Sequence, residues 1–87
     1  VGIDIEEIQY DEDLAKVIFN PEELEAVRSA DDPEVKFTEF WTRKESFLKL
    51  TGEGLRDNLK DVLSDANEAT ISTGINRSAG YIYSVAL

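Results

Sequence analysis

The chain has 87 residues, of which 19 are acidic and 9 basic, for a net charge of −10; that length suits one domain, and that charge repels nucleic acid and anionic membranes. There is no histidine and no cysteine, which excludes imidazole catalysis, disulfides and thiol chemistry and leaves carboxylates, lysines, hydroxyls or a hard metal ion. The hydrophobic share of 41% is that of a globular protein, and no apolar run approaches the roughly 20 residues of a membrane span.

The absence of cysteine fits a reducing compartment, so a cytoplasmic location is expected. The chain lacks methionine and opens at Val1 in what reads as the middle of a strand. That predicts a fragment with sequence missing upstream.

Residues 1–6, "VGIDIE", alternate as a strand, with Val1, Ile3 and Ile5 on one face and Gly2, Asp4 and Glu6 on the other. A polar stretch follows, then a short helical pattern in which Leu14, Val17 and Ile18 share a side. "NPEELEAVRSA" carries a strong helix start: Asn20 as N-cap, Pro21 at the first helical position and Glu23 three residues after the cap. Leu24 and Val27 continue its apolar face. "DDP" at 31–33 breaks the chain, and a longer amphipathic helix is expected from Glu34 to Leu50, burying Phe37, Phe40, Trp41, Phe47 and Leu48. Gly52 suits a left-handed cap. The period then changes. Val62 with Leu63, Ala69–Thr73 and Gly80–Leu87 read as strands separated by the turns "SDANE" and "GINRSAG", with Tyr81, Tyr83 and Val85 on one face. The layout predicts an α+β fold: a small antiparallel sheet packed against helices, in a single domain over 1–87.

The acidic residues carry the chemical interest. Asp4 and Glu6 share a strand face with Cα atoms about 6.5–7 Å apart. That is half of a hard-metal site, or simply a solvated outer face. On the long helix, Glu45 falls about 40° from Trp41 and about 60° from Leu48, with Lys49 one turn beyond. An intrahelical Glu45–Lys49 pair would be worth only about 0.2–0.5 kcal/mol. Partial burial beside the apolar stripe makes an uncompensated charge costly, however. If the helix crosses the first strand, Glu45 can reach Asp4 and Glu6. Three carboxylates about 5 Å apart would repel by roughly 3 kcal/mol per pair at an effective dielectric near 20. A divalent cation relieves that, and all-oxygen ligation is how Mg²⁺ is held. Glu23 also reads as the closing partner of a capping box, Lys44 and Lys49 as solvated helix lysines, and Trp41 and Phe47 as core aromatics.

Together, "GIDIE" at 2–6, "WTRKESFLK" at 41–49 and "GEGL" at 52–55 resemble the 4′-phosphopantetheinyl transferase superfamily. The tryptophan and "GEGL" resemble the surfactin-synthetase-activating type. The resemblance covers nearly the whole chain, "GYIYSVAL" included. It implies transfer of phosphopantetheine from coenzyme A to a serine of an apo acyl or peptidyl carrier protein. It further implies Asp4, Glu6 and Glu45 as Mg²⁺ ligands, Asp4, Lys44 and Lys49 beside coenzyme A, and Glu23, Glu45 and Lys49 as the catalytic set, with Glu23 or Lys49 as general base.

Enzymes of that type are pseudo-dimers of two similar halves, and this chain resembles the second half alone. The resemblance therefore implies metal ligands with little or no transferase activity in the fragment, and an exposed apolar seam that predicts self-association as a dimer or trimer. Two competing readings are a non-catalytic acidic interaction module that binds divalent metal adventitiously and a fragment of an unrelated Mg²⁺-dependent phosphohydrolase.

Overall fold

The computed structural model describes residues 1–52 and 71–87. In chain order these form β1 (Gly2–Glu7), α1 (Glu12–Ile18), α2 (Pro21–Arg28), α3 (Pro33–Thr51), β2 (Ile71–Asn76) and β3 (Tyr81–Ala86). The expected α+β architecture is present: a three-stranded antiparallel sheet in the order β1-β3-β2, with α3 laid across it. The strand expected around Val62 and the turn "SDANE" lie outside the described residues.

Local signals set the helix ends. The Asp11 carboxylate accepts from the Leu14 amide at the start of α1. Asn20 and Glu23 form a reciprocal capping box at the start of α2, each side chain accepting the other's backbone N–H. Asp32 caps α3, with Pro33 at its first position. At its far end Gly52 adopts φ 74°, a left-handed conformation in which a Cβ is strained, and its amide returns to the Leu48 carbonyl.

The closing hairpin is tighter than expected. "GINRSAG" is not all turn: Gly74, Ile75 and Asn76 continue β2 and pair with Tyr83, Ile82 and Tyr81. The turn is confined to residues 77–80, where the Asn76 side chain accepts the Ala79 amide. One apolar residue is also misplaced by periodicity. Ile18 and Ala15 are buried on α1, but Val17 is 60% exposed, because the α1 core face runs through positions 14, 15 and 18.

The main core joins α1, α2 and α3: Ala15, Ile18, Phe19, Val27 and Phe37 are buried together, with Leu24, Phe40 and Trp41 packed against them. Phe19 meets Phe37 and Phe40 edge-on. A smaller cluster under the sheet unites Ile71 and Ala86 with Phe47 and Leu50. Thr42 of α3 shares a 2.9 Å hydrogen bond with the buried Ser84 hydroxyl of β3, and Thr73 of β2 shares a second at 3.0 Å within the sheet.

The two faces of β1 are used in an unusual sense. Gly2 and Asp4 turn inward under α3, whereas Ile3 and Ile5 are more than half exposed on the outer face. The cause is the close approach of α3. A Cβ at Gly2 would stand 1.9 Å from the Ser46 carbonyl oxygen and 2.5 Å from the Leu50 amide, so only glycine lets the helix lie this near the strand. No helix among the described residues is long and apolar enough to cross a membrane.

Candidate functional site

Because α3 crosses β1 at Gly2, the flank of the helix bearing Glu45 and Lys49 faces the strand segment bearing Asp4 and Glu6. The Lys49 ammonium donates to Oδ1 of Asp4 at 2.8 Å and to the Ile3 carbonyl at 3.1 Å. It thus grips side chain and backbone of the same strand, from 45 positions away in the chain. Asp4 is 5% exposed and Lys49 52% exposed in their side chains. Asp4 is therefore the fixed partner, and Lys49 reaches it from the solvent side.

The other oxygen of Asp4, Oδ2, is buried with no hydrogen-bond partner. A buried carboxylate oxygen left without a donor is costly and invites a cation or water. The neighbouring carboxyls register the same crowding. Burial, with the adjacent Asp4 carboxylate and then Glu45, pushes Glu6 up to about 7. Burial and Asp4 also raise Glu45, with Lys49 pulling it back down. Lys49 is raised in turn, mainly by its hydrogen bond to Asp4. Asp4, Glu6, Glu45 and Lys49 thus form one electrostatic unit with an excess of negative charge.

Among the described residues no three acidic side chains stand close enough together to make a ready metal cage. The donor set nonetheless suits a hard cation: carboxylates only, one of them with an orphaned buried oxygen. Mg²⁺ is usually held by one or two carboxylates with waters and substrate phosphates completing the shell, so a closed three-carboxylate cage is not required.

Glu23 and Lys44 form a separate pair. Lys44 is not the solvated helix lysine that its sequence context suggests. It is wholly buried, with its ammonium 3.0 Å from Oε1 of Glu23 and over the Phe19 ring. Glu23 also closes the α2 capping box, so its carboxylate ties the start of α2 to the middle of α3. Position 44 follows Arg43 and precedes Glu45 in a charged run, and nothing local marks it as interior.

Thr42 and Ser84, which join α3 to β3, carry no sequence motif of their own. The one available signal was that Ser84 shares the strand parity of Ile82 and Ala86 in "YIYSVA". A cavity of about 400 Å³, lined by Tyr10, Arg28, Asp32, Pro33 and Glu34, contains none of the unit's residues. Beside it, Tyr10 and Arg28 both donate to the Glu12 carboxylate. The carboxylate unit is the better candidate for chemistry, since it combines a buried carboxylate with one unpartnered oxygen and convergent elements.

The family model described as the 4′-phosphopantetheinyl transferase superfamily matches residues 1–84. The chain is 39% identical over 77 residues to the 4′-phosphopantetheinyl transferase psf-1 of Bacillus pumilus, covering 82% of this chain and 33% of that protein. It is 35% identical over 80 residues to the 4′-phosphopantetheinyl transferase HetI of a Nostoc species, covering 84% and 34%. A third relative is the L-aminoadipate-semialdehyde dehydrogenase-phosphopantetheinyl transferase of Saccharomyces cerevisiae, 38% identical over 68 residues, or 68% of this chain and 24% of that one. The chain thus spans about a third of the length of the first two relatives. With its opening strand and its tryptophan-bearing helix crossing at one acidic unit, and with a family match over almost its whole length, the chain belongs to the 4′-phosphopantetheinyl transferase superfamily.

Proposed function

We propose that this chain is the cation- and phosphate-handling part of a 4′-phosphopantetheinyl transferase acting on coenzyme A and an apo acyl or peptidyl carrier protein in the cytoplasm. The observation that carries the reading is the meeting of Asp4 and Glu6 from β1 with Glu45 and Lys49 from α3. In the proposed reaction the serine hydroxyl of the carrier attacks the β-phosphate of coenzyme A. A new phosphorus–oxygen bond forms, the bond to 3′,5′-ADP breaks, and the serine proton passes to a base.

Asp4, Glu6 and Glu45 would hold Mg²⁺, which supplies charge neutralisation at the pyrophosphate when bound. Lys49, half exposed beside them and kept as an ammonium by Asp4, would meet the phosphates. Lys44 and Glu23, paired inside the protein, support the site by fixing α2 against α3.

A net charge of −10 suits a tetra-anionic cofactor poorly, so this stretch alone is expected to have little or no transferase activity. The remaining contacts to coenzyme A would come from outside it. The exposed outer sheet face is the surface we expect to associate, with a second half or with another copy.

The test is substitution in the intact protein. Asp4→Ala and Glu45→Ala should each abolish Mg²⁺-dependent coenzyme A binding and the mass shift on a carrier protein, with circular dichroism unchanged. Normal transfer by either variant defeats the proposal.

A further inference from the structure

Lys49 is the element of the acidic unit whose position needs most explanation. Its ammonium sits on Oδ1 of Asp4 and on the Ile3 carbonyl, a place where a hard cation would find one carboxylate and one backbone oxygen. Asp4 cannot leave: it is almost fully buried beneath α3. Lys49 can. It lies in the last turn of the helix, half exposed, on a four-carbon stem, and it can swing to solvent without unpacking any core residue.

A divalent ion on either oxygen of Asp4, the unpartnered Oδ2 included, would stand only about 4 Å from an ammonium held on Oδ1 and be strongly repelled by it. From this we propose that Lys49 is a tethered counter-ion that occupies Asp4 in the metal-free chain and competes with the incoming divalent cation for it. Cation binding then releases the ammonium from Oδ1, and unbinding lets it return. The helix carries its own substitute for the metal, which keeps Asp4 compensated in either state. The inference rests on reading the acidic unit as a cation site, and the experiment separates the two.

Mg²⁺ is titrated by calorimetry into the wild-type chain, Lys49→Met and Asp4→Asn. Lys49→Met keeps the length of the stem and removes the charge. Competition predicts that it binds Mg²⁺ about tenfold more tightly than wild type, within the usual range for coupling between sites, and that Asp4→Asn does not bind. In the wild-type chain, NMR of the Lys49 side chain should show its Cε and Hε signals moving to free-lysine values as Mg²⁺ saturates. This second reading does not depend on a variant folding. Unchanged or weaker Mg²⁺ affinity in Lys49→Met, or static Lys49 signals, overturns the competition even if Asp4→Asn abolishes binding. Binding that survives Asp4→Asn, or no binding by any of the three, overturns the cation site and the competition together.

Discussion

The Lys44 ammonium, wholly shielded from solvent, lies 3.0 Å from Oε1 of Glu23. This pair bridges α2 and α3 through the interior and makes each member dependent on the other. Removing Glu23 takes the carboxylate from beside a wholly buried ammonium, at a cost of up to about 3–5 kcal/mol. Glu23→Leu should therefore lower stability by that order in urea unfolding. Glu23→Leu combined with Lys44→Met should recover most of the loss. If the single variant costs no more than a surface substitution, the pair does not hold the helices together.

Gly2 sets the distance between α3 and β1. Its missing Cβ is what admits the Ser46 carbonyl. Gly2→Ala must push the helix backbone aside, with an overpacking cost of about 1–3 kcal/mol or more. The same displacement would separate Lys49 from Asp4. Urea midpoints should fall, and NMR should show the Lys49 side chain losing its fixed environment. A variant of native stability would mean that α3 rides further from the strand than described.

The acidic unit gives stability a definite pH dependence. Glu6 is raised from 4.5 to about 7, and Glu45 is raised as well, so the folded chain holds protons more tightly than the unfolded chain. Their favourable contribution is complete below 4.5 and is lost as pH rises through 7. The melting temperature in metal-free buffer should fall across that window. Glu6→Gln, which cannot ionise, should flatten the decline and stabilise the chain at neutral pH. An unchanged profile in Glu6→Gln would place the titration elsewhere. Lys49 acts in another range: its raised pKa adds stability that persists until pH passes above 10.5.

The outer sheet face should govern association. Val1, Ile3, Ile5, Tyr83 and Leu87 are exposed large apolar side chains on one side of the sheet. Contiguous apolar exposure of this kind favours contact with another surface. Light scattering of the chain should give a mass that rises with concentration, and Ile5→Glu should return it to a monomer of native circular dichroism. A wild-type chain that stays monomeric at high concentration contradicts this.

Sequence alone determined the features that act over a few residues. Asn20 marks a helix start, Gly52 marks a stop, and the i,i+4 spacing of Glu45 and Lys49 puts both on one flank, all because caps and periodicity are local. The quoted motifs also carried the family.

Tertiary packing decided what each face met. Alternation in "VGIDIE" separates the isoleucines from Asp4 without saying which side α3 covers, and here the helix covers the acidic side. Lys44 reads as a surface lysine until Glu23, contributed by another helix, is brought against it. The grip of Lys49 on Asp4 and Ile3 spans 45 and 46 positions, beyond the reach of any local pattern. Burial belongs to the assembled layers, and only their contact fixes which charges must find partners inside.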